Sequence, residues 1–449
     1  MSDSSSSTDP VKLGFTVTNR SVLAIAVPMT LGFLSTPLLG LIDMAVIGRL
    51  GDAALLGGIA LGSIVFDVLF NTFSFLRSGT TGLTAQALGA RNDEEIKATL
   101  LRALVLALLG GLAVILLQTP AREAGMWFLG GSADVQNAMA RYFDVRVYSA
   151  PFVLANYAIL GWFLGLGRAG TGLALQLFMN GLNIALSIWF VIGLEWSVEG
   201  VALATALSEA SAAGLGALLI LANVKGKSWP ALAIILDRRL LLRTMAVNRD
   251  IMIRSFSLLV AYAFFMAKSA TQGDAILAAN AVLEKFIVVA GYFLDGLATA
   301  AEQLVGRAVG ARNRPAFDKT LRLTAIWSFA LAGCLALVFL VSGTGLIALM
   351  TTAPDVRAQA EVYLVWAVLA PLLGVLAFQM DGVFIGATWS STMRNMMLLS
   401  LAAYIAAYYL FFPVLGNHGL WLSLEIFLGL RGVTLLAMYR KRAAETFAA

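Results

Sequence analysis

The 449-residue chain is 59% hydrophobic and only 13% charged, with a mean hydropathy of +0.85 and a net charge of +5. Soluble domains carry about 25% charged residues, so this chain has too little polar surface for a water-soluble enzyme. A single cysteine (Cys334) and a single histidine (His418) exclude an intrachain disulfide and a His/Cys metal cluster.

Residues 1–20 form a polar cytoplasmic tail with no basic n-region. The apolar run behind it lacks a small-residue cleavage site and reads as a first membrane helix, not a signal peptide. A bilayer core of about 30 Å takes roughly 20 apolar residues as helix. Such runs fall at Ser21–Ile42, 53–77, Ala103–Ala121, Val147–Gly167, Ala169–Leu194 and 200–224. After a basic connection, 225–249, they resume at 250–270, 275–301, Leu323–Pro354 and 361–387. The run Asn395–Leu424 is divided by a turn at Pro413, Gly416 and Asn417, and a last helix ends near Tyr439. The expected fold is all-α and integral to the membrane, with twelve transmembrane helices, since these runs are too long for barrel strands.

Lys and Arg set the orientation. One set of loops holds Arg91, Lys97, Arg102, Arg168, Lys225, Lys227, Arg238, Arg239, Arg243, Arg249, Arg307, Arg312, Arg314, Arg394 and Arg440. The opposite set holds Arg49, Arg122, Lys268 and Arg357, joined by Arg141 and Arg146 if these sit at the outer mouth of span four. Both termini are therefore expected in the cytoplasm.

The sequence also echoes itself. GARN occurs at 89–92 and at 310–313, and Tyr142/Tyr363, Phe163/Phe384 and Gly165/Gly386 keep the same 221-residue offset. A fixed period across separated segments implies a duplicated unit. Six helices per unit give both copies one polarity, so an N-lobe (21–224) and a C-lobe (250–440) are expected to be related by a pseudo-two-fold axis along the membrane normal. Residues 225–249 link them and 441–449 form a tail. A cavity between such lobes is transporter architecture. The first GARN follows a Gly- and Thr-rich stretch, but no P-loop lysine follows and no strand precedes, so GARN reads as a tight cytoplasmic turn with its Arg at the headgroup level.

Five strings carry a resemblance: PLLGLIDMAVIGRLG (37–51), FLRSGTTGLTAQALGARN (75–92), NRDIMIRS (248–255), DGVFIGAT (381–388) and GNHGLWLSLEIFLGLRG (416–432). They span nearly the whole chain. The sequence resembles the multidrug and toxic compound extrusion (MATE) transporters, in particular their DNA-damage-inducible (DinF) branch. The resemblance implies two six-helix lobes and export of amphipathic, often cationic compounds in exchange for H⁺ or Na⁺.

Ionisable groups inside a bilayer cost about 2.5–3.5 kcal/mol on insertion scales, which makes each a candidate. Asp43 comes first, six residues before Arg49 and so about 9 Å inside the interface. A carboxyl group withdrawn from water is suited to carrying a proton, and the resemblance places the family's span-one coupling aspartate at this position. Pro28 and Pro37 precede Asp43 and are candidate hinges. Asn156, Asn180, Asn183, Ser187 and Thr205 are expected to line the same pocket. Glu209, ten residues beyond Glu199 and about 15 Å deeper, is a second coupling candidate. Many relatives carry Asp four residues after the span-five Asn; here that position is Ser187, which puts a two-carboxylate proton site in doubt.

In the C-lobe, Asp381 matches an acid that other branches use for cation binding and is the third coupling candidate. Their span-seven Glu is missing, since no acid lies between 251 and 267, which shifts the expectation from Na⁺ to H⁺. Asp295 and Glu302, seven apart on one helix face, are secondary candidates with Arg254 as partner. Glu284 and Lys285, being adjacent, are expected to point apart. Asp67, Arg77, Glu425 and Arg431 read as structural pairs or anchors, and His418 as part of an outer turn.

Phe265, Met266, Tyr292, Trp162 and Trp389 could supply apolar walls for a lipophilic cation. The expected protein is a monomer in a bacterial-type inner membrane, with lipids around it. It needs no metal, cofactor or nucleic acid beyond the transported H⁺ or Na⁺, and it is not an enzyme. The alternatives are an Na⁺-coupled exporter and a lipid-linked precursor flippase of the same superfamily.

Overall fold

The computed structural model describes residues 15–49, 51–224 and 228–448. Lys12, Lys225, Lys227 and most of the N-terminal tail lie outside the described residues. Among the described residues, twelve helices are long and apolar enough to cross a membrane. In chain order, α1 is Asn19–Gly48; α2, Ala53–Thr72, and α3, Phe75–Gly89, form the second span; α4 is Asp93–Leu116. A surface helix α5, Gln118–Leu129, leads to the fourth span, made of α6, Ala133–Arg146, a 3₁₀ turn, and α7, Ala150–Gly165. Then come α8, Ala169–Ile188, with a π turn at Trp189–Gly193, and α9, Val198–Val224. The short α10, Leu232–Ile235, precedes α11, Arg238–Ala270; α12, Asp274–Gly310; α13, Arg314–Met350; α14, Pro354–Gly386; α15, Ser390–Leu415; and α16, Asn417–Phe447.

Several boundaries differ from the expectation. The Gly/Thr stretch Gly79–Thr84 is the buried middle of α3, and the chain turns at the GARN residues that follow it. Small side chains there serve close helix packing, not a loop. The fourth span begins at Ala133, because α6 carries Arg141, Asp144 and Arg146, charges that cut its apolar run short. Residues 238–249 form the first turns of α11. Within α5 no residue is buried, and Trp127 and Phe128 project outward, which suits a helix lying at a membrane interface.

The 221-residue repeat is visible in the backbone. Arg91 and Arg312 both take positive φ, 53° and 49°, and Gly167 and Thr388 do so at 75° and 55°. Asn92 and Asn313 cap the next helices in the same way, accepting from Glu95 N and Ala316 N. The two GARN turns also meet. A Cβ on Gly89 would strike Arg307 O, and one on Gly310 would strike Gln86 O. Each contact is the other shifted by 221 residues, as a two-fold axis between α3 and α12 requires.

Apolar packing divides the molecule into a joined end and a split end. One core cluster unites both lobes, with Val22, Ile25 and Met29 of α1 and Leu164 against Leu297, Leu304 and Phe384. At this end Gln86 Nε2 donates to Gly386 O at 2.9 Å, Arg243 Nη2 to Gln86 Oε1 at 2.7 Å, and Gln303 Nε2 to Gly165 O at 3.3 Å. Toward the other end the core separates into one cluster within the C-lobe and one within the N-lobe. Apolar packing is thus shared between the lobes where the GARN turns lie and divided into one cluster per lobe opposite.

Candidate functional site

α1 crosses from the joined end to the split one, and its two halves differ accordingly. Val22, Ile25, Ala26 and Met29 are buried against the C-lobe, and a Cβ on Gly296 of α12 would collide with Thr30 Oγ1. From Leu31 onward the helix is more exposed, and Leu31 and Leu41 face outward. Pro28 and Pro37 bracket this change; neither ring nitrogen can donate to the preceding turn, so bending costs less there than elsewhere in the helix. Side chains of α8 pin the stretch between them: Asn180 Nδ2 donates to Ser35 Oγ at 2.8 Å and Gln176 Nε2 to Thr36 Oγ1 at 3.1 Å.

Beyond this hinge, Asp43 meets the expected polar residues. Ser187 Oγ donates to Asp43 Oδ1 at 3.1 Å and lies 3.3 Å from Asn183 Oδ1, and Asn183 Nδ2 donates to Thr205 Oγ1 at 3.0 Å. Asn183, Ser187 and Thr205 are buried, while Asp43 is only partly so. Neighbouring side chains of α8 thus reach α1 through Ser187 and α9 through Asn183. Ser187 lies two residues before the π turn at Trp189–Gly193, an irregularity of the kind that often marks functional positions.

Glu209 is not among these contacts. Its carboxylate accepts from Asn156 Nδ2 at 2.6 Å, and the same nitrogen donates to the Glu209 backbone carbonyl at 3.0 Å. Arg146 joins the groups electrostatically: it lies within the field of Asp43, Asp67 and Glu209, hydrogen-bonds Tyr142 Oη, and stacks over Phe66 at 4.9 Å. Sequence reading allowed Arg146 at the outer mouth. Its packing on aromatic faces shows a charge held inside the lobe instead. Ser35 and Gln176 were also missed, although Gln176, Asn180, Asn183 and Ser187 recur at helical spacing on one face of α8.

The C-lobe acids are arranged differently. Asp381 Oδ2 accepts from Arg254 and, at 2.8 Å, from Arg431 Nη2; all three side chains are largely buried. Arg254 is thus the partner of Asp381, not primarily of Asp295 or Glu302. Two guanidiniums on one carboxylate oxygen satisfy it and repel a third cation. Glu302, buried at the joined end, lies beside Thr81, and Arg77 is within electrostatic reach of both Glu302 and Asp295. Arg77 also packs over the Phe33 ring at 5.6 Å. Glu284 and Lys285 do not point apart: Lys285 Nζ lies 3.1 Å from Glu284 Oε2, the long lysine stem reaching round the helix. His418 Nδ1 accepts from Trp366 Nε1 at 3.0 Å beside the Tyr363 ring, within a helix start. Among the described residues, no three His, Cys, Asp or Glu side chains gather as metal ligands.

Comparison with known proteins completes the picture. The MatE family model matches residues 28–189 and 251–410, one copy in each lobe. The chain is 39% identical to DNA damage-inducible protein F of Escherichia coli over 95% of its own length and 93% of the relative's. It is 26% identical to the multidrug export protein MepA of Staphylococcus aureus over 43% of each chain. Among solved structures, a MOP superfamily transporter from Pyrococcus furiosus superposes with a TM-score of 0.86 at 19% identity, covering 96% of this chain and 99% of that one. A MATE protein in a bent conformation gives 0.88 at 19% identity, over 96% and 99%. The chain belongs to the MatE family, the multidrug and toxic compound extrusion transporters.

Proposed function

We propose that the protein is an H⁺-coupled antiporter that exports amphipathic, often cationic compounds across a bacterial-type inner membrane. Both termini lie in the cytoplasm in this reading, which the distribution of Lys and Arg supports. The joined GARN end is then cytoplasmic, and the structure is the outward-open state. The observation that carries the reading is the Ser187–Asp43 contact on the free half of a helix whose other half is clamped between the lobes.

The cycle follows from charge. Ionised Asp43 adds negative charge between the lobes, within the field of Arg146, and that charge favours a cationic cargo. A proton arriving from outside neutralises Asp43, weakens cargo binding and alters the polar contacts between α1 and α8. Cargo leaves, and the protonated carrier reorients inward, where the proton dissociates. Cargo and proton need only bias the same two-state helix. Asn156, Asn180, Asn183, Thr205 and Glu209 support the pocket, and Pro28 and Pro37 act as hinge points.

H⁺ is favoured over Na⁺ because Asp381, an acid of the type an Na⁺ site would recruit, is held by Arg254 and Arg431. Proteoliposomes with pH or Na⁺ gradients imposed separately test the assignment. Export driven by an outside-acid gradient with Na⁺ absent supports it; export driven by Na⁺ alone would refute it.

A further inference from the structure

Glu425 plays no part in this scheme. It sits on α16, eight residues from Asn417 and about 12 Å along the helix. It is 2% exposed, and neither carboxyl oxygen has a hydrogen-bond partner. Its flanking residues Trp421, Leu424, Phe427 and Leu428 belong to the apolar cluster of the C-lobe.

The charged and titratable groups around it are otherwise occupied. From α11, Tyr262 lies within the field of Glu425, Glu284, Asp295 and Arg431. From α12, Glu284 is paired with Lys285, and Asp295 adds only negative charge. From α14, Asp381 is held by Arg254 and Arg431, the latter on Glu425's own helix. From α15, the Tyr404 hydroxyl is buried without a partner, with Tyr408 nearby. A carboxylate here would be an unpaired buried charge, which a protein interior tolerates poorly. The burial excludes a drug-sized cargo, and no cage of acidic ligands surrounds the group. A proton is the ligand that fits.

We infer that Glu425 is a second proton-binding site, in the C-lobe, loaded in the outward-open state and emptied elsewhere in the cycle. The step is the simple exchange of a carboxylic acid for a carboxylate and a proton released to water. It rests on the H⁺-coupled reading and extends it to two protons per turnover, one in each lobe.

Infrared difference spectroscopy of the full-length protein in nanodiscs provides a readout that needs no cargo. The wild type and Asp43→Asn should both show a protonated-carboxyl C=O band that fades as the medium becomes alkaline. Glu425→Gln should lack it, and Glu425→Asp should retain it at a shifted frequency, which shows that the fold is kept. In proteoliposomes with the membrane potential clamped at zero and ethidium as probe, the wild type should sustain about a 100-fold gradient per pH unit, and Glu425→Gln about tenfold. An unchanged band in Glu425→Gln, or a wild-type ethidium ratio, would overturn the second site while leaving coupling through Asp43 intact. Loss of pH-driven transport in the wild type would instead refute the parent reading.

Discussion

Ser187 Oγ donates to Asp43 Oδ1 across the gap between α8 and α1. The bond stabilises the anionic form of Asp43, and hydrogen bonds to charged groups contribute about 1.5–3 kcal/mol. Replacing Ser187 with alanine should favour the protonated form. The pH profile of exchange then moves toward the alkaline side, and its maximal rate falls by roughly tenfold, taking the low end of that range for a partly exposed acid. Transport assayed across a pH series checks this; an unmoved profile would show that the contact is incidental.

Asp381 offers a contrast. Removing one member of a buried ion pair costs about 3–5 kcal/mol, because the partner stays buried and unpaired. Asp381→Asn strands two arginines, whereas Asp43→Asn removes a partly exposed acid with one side-chain donor. Thermal unfolding in detergent should therefore show a large fall in Tm for the first and a small one for the second. Equal falls would mean that Asp381 is not held as the structure has it.

The glycine seam predicts a conformational effect. Gly310 packs on Gln86 O and Gly89 on Arg307 O, with no room for a methyl group. Gly310→Ala should disfavour the joined end and populate a state open there. The readout is maleimide labelling of Thr81→Cys, a buried α3 position, with the exposed Cys334 first replaced by Ser. Labelling should rise severalfold; unchanged protection would contradict the seam's role.

Much of this was legible because apolar runs and a sequence period are local signals. Arg91 and Arg312 share a left-handed backbone because GARN recurs, and the repeat alone predicted two related lobes. What stayed hidden depends on contacts far apart in the chain. Arg254 and Asp381 are 127 positions apart and meet only after α11, α14 and α16 pack. Arg146 was not placed because a charge covered by aromatic rings looks, in sequence, like a charge at a membrane surface.

The hinge can be tested through its pin. Asn180 holds Ser35 between the two prolines of α1. Asn180→Leu removes the donor and should broaden the distribution of α1 conformations, with exchange slowed severalfold. Electron spin resonance distances between labels on the outer half of α1 and on α13 report this directly. An unaltered distribution would remove Asn180 from the hinge.

The central claim is that proton binding at Asp43 drives export. Purified wild type and Asp43→Asn, reconstituted side by side, should be given the same outside-acid gradient while ethidium efflux and internal pH are followed together. The account predicts coupled ethidium efflux and proton entry in the wild type and loss of both in Asp43→Asn, in a variant that remains folded. Wild-type coupling in Asp43→Asn would contradict it.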